Sequence, residues 1–379
     1  MGMIYADYNA TTPLCASAFD AMKHAFERWG NPSSTHKVGR DAKELLEQSR
    51  ELVASCAGAD PRNIVFTSGG SEANTMALMG MYLNHPKDFR LLTSPIEHSS
   101  VRGTVKLFRQ LGVEIEMVGI RACGEIDLED LEKKIVSFKP HLVSIMAANN
   151  ETGIINPVPD MAKICKAAKI PFHTDCVQAL GKMDPSHWKD ADMASISGHK
   201  VYGPKGVGAL IIKHHLKLEA THFGGPQETR RRGGTENVAG IAGFGGACAE
   251  LSCDFEKVRK LRDRFEALLK KDLTDFQIQG QDLKRTPNTT NLRIKGVQAE
   301  VLLSAFDLDG LCVSAGSACA SGSLSASPVI QAMGLTPEES KESLRFSWGC
   351  PTTQEEVEKA AEIVVSHVKR IRSRRTARR

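Results

Sequence analysis

A lysine set among small polar residues and glycines at a strand end can lose its proton and condense with an aldehyde. Lys200 has that setting, inside Ser195-Ile-Ser-Gly-His-Lys-Val-Tyr-Gly-Pro-Lys-Gly-Val-Gly208. The apolar run Met193 to Ile196 predicts a buried strand end, and Val207 to Ile212 predicts the strand that returns. Between them the glycines allow a tight fold of the backbone, with Ser197 and His199 beside the lysine. A lone G-x-x-K more often marks a solvated lysine in a hairpin, so the chemical reading needs support from other stretches.

Three stretches give it. Val65-Phe-Thr-Ser-Gly-Gly-Ser-Glu72 reads as strand, glycine turn and helix start. Free backbone N–H groups at Gly70, with the Ser71 hydroxyl, make an anion site. It is neither a P-loop nor G-x-G-x-x-G, so it suits the phosphate of a small cofactor better than a nucleotide. Read alone, it could equally be a capped helix without a ligand. Pro171-Phe-His-Thr-Asp175 ends a buried strand on a carboxylate, with Gln178 one turn later. A buried aspartate needs a cationic partner, which a protonated pyridine nitrogen would be. His98 follows another strand end and could stack on a flat ring. A lysine for an imine, an aspartate for a pyridinium, a phosphate cradle and an aromatic lid together point to pyridoxal phosphate. Separately, Cys319 lies in Gly316-Ser-Ala-Cys-Ala-Ser-Gly322. Nothing there is bulky enough to bury the thiol, which suits a nucleophile deprotonated on arrival at a site.

These residues need a frame. Strands are expected at 63–67, 91–94, 114–118, 142–147 and 171–174, with helices near 71–83, 99–111, 128–138 and 159–168 between them. That alternation predicts an α/β fold, a large domain with a mostly parallel sheet flanked by helices. Ligands then sit at the carboxyl ends of the strands, where the candidate residues fall. Before the sheet, helices are expected over 13–29 and 38–57. Beyond Thr235 the rhythm changes to a long helix over 236–273, broken near Cys253, and then a smaller α+β unit. Its elements are a strand at 290–294, helices at 299–308 and 328–333, and a closing helix at 353–371. We expect a large domain over 13–255, a small domain over 1–12 and 256–366, and a solvated basic tail over 367–379. Gly243-Phe-Gly-Gly has no strand before it and is rejected as a nucleotide loop.

Composition narrows the class. The 379 residues are 41% hydrophobic and 25% charged, with a net charge of +4. That is an ordinary globular balance with no overall nucleic-acid signature. No apolar run approaches a membrane span, and the start has no signal-peptide pattern, so the cytoplasm is the expected location. The ten cysteines are then expected to be thiols, and no spacing suggests a metal site.

With these motifs in view, the chain resembles the cysteine desulfurases of the NifS/IscS group, within the fold-type I pyridoxal-phosphate enzymes. The carrying segments include Asp7-Tyr-Asn-Ala-Thr-Thr, Gly30-Asn-Pro-Ser-Ser, Phe66-Thr-Ser-Gly-Gly-Ser-Glu, Glu97-His and Asn149-Asn-Glu. His173-Thr-Asp-Cys-Val-Gln, the Lys200 segment, Arg231-Arg-Gly-Gly-Thr-Glu-Asn, Ser314-Ala-Gly-Ser-Ala-Cys-Ala-Ser-Gly and Leu344-Arg-Phe-Ser complete the set, in order along nearly the whole chain. The resemblance implies that Lys200 holds pyridoxal 5'-phosphate. It implies that Gly70, Ser71, Ser197 and His199 bind the phosphate, that Asp175 meets the ring nitrogen, and that Gln178 and Asn150 meet the ring oxygen. His98 would stack on the ring and move protons. Arg345, with Asn150, would bind the substrate carboxylate. Cys319 would take sulfur from L-cysteine and pass it to an acceptor protein for iron–sulfur clusters or tRNA thiolation. Thr235 would reach the phosphate of a second subunit, which implies a homodimer with shared sites. Ala315, Ala320, Cys176 and Cys350 depart from the group's usual residues. A selenocysteine lyase, an aminotransferase or a non-catalytic scaffold on the same fold are the rival readings.

Overall fold

The computed structural model describes residues 2–251, 253–315 and 326–376. Its first part runs β1 (Ile4–Tyr5), α1 (Ala16–Glu27), α2 (Lys37–Ala57), β2 (Ile64–Thr67), α3 (Gly70–Asn84), β3 (Arg90–Thr93), α4 (Ser99–Gln110) and β4 (Glu114–Met117). Then come α5 (Leu128–Phe138), β5 (Leu142–Ser144), α6 (Val158–Ala167), β6 (Phe172–Asp175), β7 (Met193–Ser197), β8 (Gly208–Ile212) and α7 (Val238–Ala249).

Strands β2 to β8 form one 7-stranded sheet in the order β2-β8-β7-β6-β5-β3-β4. Every pairing in it is parallel except the two made by β8, which runs against β2 and β7. The strands β2, β5, β6, β7 and β8 are buried along their whole length. Such strands lie under helices on both faces, and the apolar residues divide accordingly. Phe66, Leu92, Val143, Phe172 and Ile196 pack with α2, α5, α6 and α7, while Val65, Leu91, Leu142, Met193 and Leu210 pack with α3 and α4.

The remainder is α8 (Phe255–Asp272), β9 (Phe276–Ile278), β10 (Thr289–Ile294), α9 (Ala299–Leu308), β11 (Leu311–Cys312), α10 (Pro328–Ala332), α11 (Pro337–Ser340), β12 (Ser343–Ser347) and α12 (Gln354–Thr376). An antiparallel sheet, β12-β10-β9, lies against α8, α9 and α12 around Phe265, Phe306, Phe346 and Trp348. Ile4 and Ala6 join this second core, because β1 pairs in parallel with β11. The chain's first residues are thus carried by its last third.

The break expected near Cys253 is present: the stretch after Thr235 is two helices, because Asp254 caps α8 through its side chain onto the N–H groups of Glu256 and Lys257. Two differences from the expectations have physical causes. The final helix runs on to Thr376, where a frayed tail was expected. Arg372 donates to the carbonyls of Thr274 and Asp275, and His367 meets Asp309. The cysteines are also not all thiols: Cys253 and Cys350 are disulfide-bonded, with Cα atoms 5.4 Å apart. Their separation of 97 residues gives no short-range motif to read.

Closing so long a loop stabilises by restricting the unfolded chain, by about 2–5 kcal/mol. Alkylation of the denatured, unreduced protein should therefore leave Cys253 and Cys350 unmodified, and reduction should lower the melting temperature. Modification of both cysteines without a reductant would contradict the bond.

Candidate active site

The carboxyl ends of the parallel strands open into a cavity of about 550 Å³. Gly70, Ser71, His98, Asn150, Asp175, Gln178, Ser197, His199, Lys200 and Arg345 all line it. Thr235 is exposed and lies outside the lining. Cys319 lies outside the described residues.

Lys200 follows β7 in a short turn and donates from Nζ to the carbonyls of Asn9 and Ala10, both at 2.6 Å. Among the described residues no carboxylate pairs with it directly. Burial lowers its pKa from 10.5 to about 8, the Arg345 charge adding to the effect. A fraction of the amine is therefore uncharged at neutral pH. The N-terminal turn is laced to the lysine's own turn. Thr12 donates from its N–H and Oγ1 to the His199 carbonyl, and Tyr202 donates its N–H to Thr12 Oγ1 at 2.8 Å.

Asp175 ends β6 almost fully buried. It accepts from Asn74 Nδ2 at 2.6 Å and from the Val177 N–H at 2.9 Å. Asn74 also donates to Ser100 Oγ at 2.9 Å, and Ser100 Oγ lies 2.8 Å from His98 Nδ1. The carboxylate and the imidazole thus share one framework. His98 caps α4 by accepting from the Ser100 N–H. Burial lowers the pKa of His98, and burial beside Lys200 lowers that of His199 to about 4, so both rings are neutral at pH 7.

The residues present fit pyridoxal phosphate. The N-terminus of α3 carries the Gly70 and Ser71 N–H groups, and a Cβ at Gly70 would come within 2.5 Å of Val177 Cγ2. Ser197 Oγ is buried beside this turn with no partner among the described residues, as is Asn74 Oδ1 beside Asp175. Unsatisfied buried polar atoms are costly, and a polar ligand would satisfy them. Glu72, in the first turn of α3, accepts from the Ser68 N–H at 2.7 Å and pairs with Arg232 at 3.0 Å. That pair holds the Arg231-Arg-Gly-Gly-Thr segment beside the cradle.

Arg345, on β12, reaches the opposite side. It pairs with Asp7 at 2.6 Å and donates to the Asn150 carbonyl at 2.9 Å. Its backbone also pairs with Ser314, and Ser327 Oγ donates to Glu151 Oε2. Both flanks of the segment that contains Cys319 are therefore tied to residues around the cavity. Sequence reasoning left Asn9, Asn74, Arg102, Glu151 and Lys182 without roles. Asn74 had a legible signal, one helical turn beyond Gly70. Asn9 did not, because its contribution is a backbone carbonyl.

Glu97, next to His98, is fully buried and its pKa is raised by burial from 4.5 to about 8. Its Oε1 accepts from Ser94 Oγ and the Met146 N–H, fastening the His98 turn to the end of β5. Between those pH values the native chain holds a proton that the unfolded chain has lost. The resulting stability is complete below 4.5 and is lost as pH rises through about 8. Glu97→Gln removes that dependence, so its melting temperature relative to wild type should be higher at about pH 9 than at about pH 5. A constant difference would contradict a neutral Glu97.

The chain is similar to known proteins over nearly its whole length. The aminotransferase class-V family matches residues 4–360. The cysteine desulfurase IscS of Dictyoglomus turgidum is 39% identical, covering 98% of this chain and 95% of that protein. The cysteine desulfurase of Homo sapiens is 38% identical, covering 97% of this chain and 82% of that protein. Among solved structures, a NifS-like protein superposes with a TM-score of 0.89 at 32% identity, covering 97% of this chain and 99% of the other. SspA in complex with cysteine superposes at 0.82 with 31% identity, covering 92% and 99%. These matches and the cavity's fit to pyridoxal phosphate agree: the chain belongs to the aminotransferase class-V family, among its cysteine desulfurases.

Proposed function

We propose that this chain converts L-cysteine to L-alanine and that Cys319 receives the sulfur as a persulfide. The observation that carries the reading is the meeting, in one cavity, of a buried amine at Lys200, a carboxylate at Asp175, an anion cradle at α3 and a guanidinium at Arg345. Pyridoxal phosphate, when bound, withdraws electrons from the substrate's Cα and makes charge at Cβ tolerable.

The chain's own residues do the rest. Lys200 holds the cofactor and exchanges protons at Cα, for which its readily deprotonated amine is suited. Asp175 offers an acceptor to a protonated ring nitrogen, with Asn74 and Val177 fixing its oxygens. Gly70, Ser71, Ser197 and His199 hold the phosphate, and Gln178 and Asn150 face the ring oxygen. The neutral His98 stacks on the ring and moves a proton. Arg345 binds the substrate carboxylate by charge-assisted hydrogen bonds. The Cys319 thiolate attacks the substrate sulfur as the Cβ–S bond breaks. The electron pair goes to Cβ, which gains a proton and becomes the methyl group of alanine. The sulfur stays on Cys319, and the sum balances without an external oxidant or reductant.

Thr235, exposed on this chain, serves the phosphate site of a second copy, so the working form is a homodimer. The persulfide passes to an acceptor protein for iron–sulfur cluster or tRNA-thiolation chemistry, in the cytoplasm. No described helix is long and apolar enough to cross a membrane.

Cys319→Ser separates the roles. It leaves Lys200, Asp175 and the cradle intact, so the visible absorbance of the bound cofactor should remain. Alanine and sulfide release from L-cysteine should fall by more than about 10²-fold, since a serine hydroxyl cannot carry the sulfur. Peptide mass spectrometry after brief exposure to cysteine should find one extra sulfur on the wild-type Cys319 peptide. Sulfur on Cys176 or Cys312 instead, or full activity in Cys319→Ser, would overturn the assignment.

A further inference from the structure

A second lysine lies behind the cavity lining, bonded to the lining residue Gln178. Lys182 is half-buried, and its Nζ donates to Gln178 Oε1 at 2.6 Å. Among the described residues no carboxylate pairs with it. Gln178 is itself buried and spends its other amide end on the cavity side, donating from Nε2 to the Asn9 carbonyl at 3.0 Å. That carbonyl also accepts from Lys200 Nζ. The chain of contacts therefore runs Lys182 to Gln178 to Asn9 to Lys200, from one amine to the other.

The direction of each bond matters. A lysine amine held as a donor can meet only the amide oxygen, so Lys182 forces Gln178 to present its NH₂ inward. With the opposite orientation Oε1 would face the Lys200 side and would stabilise an ammonium there. We propose that Lys182 is a positioning residue that locks the Gln178 amide with its donor end toward Asn9 and so keeps Lys200 ready to act as a neutral amine.

Burial lowers the pKa of Lys182 to about 7, with Lys200 and Arg345 repelling it further, so Lys182 is mostly uncharged where Lys200 titrates near 8 and acts on it through the Gln178 amide and not through its own charge. Arg345 repels the Lys200 ammonium, while Asp7 and Asp175 oppose that effect. His98 and His199 are both within electrostatic reach of Lys200 and are neutral at pH 7. Removing Lys182 takes away the amide lock, and that loss raises the Lys200 pKa.

The inference rests on Lys200 being the cofactor lysine. Full-length protein stripped of cofactor is mixed with pyridoxal phosphate between about pH 6 and pH 10, and the rate at which visible absorbance appears is recorded. In Lys182→Met the pH midpoint of that rate should rise by about one unit, making uptake about tenfold slower at neutral pH and nearly unchanged at high pH. Lys182→Arg, which keeps a donor toward Gln178 Oε1, should restore the wild-type midpoint. An unchanged or lowered midpoint in a Lys182→Met protein with a wild-type-like melting curve would overturn the proposal. So would equal slowing at every pH, which marks a merely structural loss. If Lys200→Ala took up cofactor with wild-type absorbance, the cofactor assignment itself would fail, whatever Lys182 did.

Discussion

Holding an amine in a buried site without a carboxylate beside it is unfavourable, and that constraint organises the molecule. Lys200 is held by two backbone carbonyls, those of Asn9 and Ala10. Carbonyl dipoles solvate the ammonium weakly enough that burial prevails and the proton is easily lost. A carboxylate in direct contact would have fixed the charge. The nearest formal charges act from further away and in opposite senses, Arg345 against Asp7 and Asp175.

Meeting that constraint requires both ends of the chain. The Asn9 and Ala10 carbonyls belong to a segment whose strand, β1, pairs with β11. Asp7 forms a parallel bridge with Ser347 and an ion pair with Arg345, and Asn9 is bonded to Ser347 Oγ, Thr289 and Asn288. The second core therefore supplies the lysine's partners and Arg345 together. The first core supplies the lysine, the aspartate and the cradle at the ends of its parallel strands. The disulfide between Cys253 and Cys350 joins the entry to α8 with the turn just after β12. It fastens the same region in which Arg345 is carried.

Much of this was legible from residue types. The alternation of apolar runs and helical periods located the large sheet closely, since strands buried on both faces leave long apolar signatures. The Lys200, Asp175 and Gly70 segments declared themselves by glycine and carboxylate placement at strand ends. The unread parts share another character. Asn9 acts through its main chain, whose chemistry is the same for every residue. Lys182 matters only through the orientation of Gln178. The Cys253–Cys350 bond joins positions far apart in sequence. β12 was not assigned as a strand: it is short, and its central arginine breaks the apolar run although the whole strand is buried. Nothing in the residue type of Glu97 signals that it is buried, and burial is what raises its pKa.

The most direct test of the account is to fix the bound cofactor in place by borohydride reduction of the purified full-length protein and to map the modified peptide by mass spectrometry. The account predicts a single pyridoxyl group, on Lys200. Modification of Lys182 or of another lysine, with Lys200 left unmodified, would contradict it.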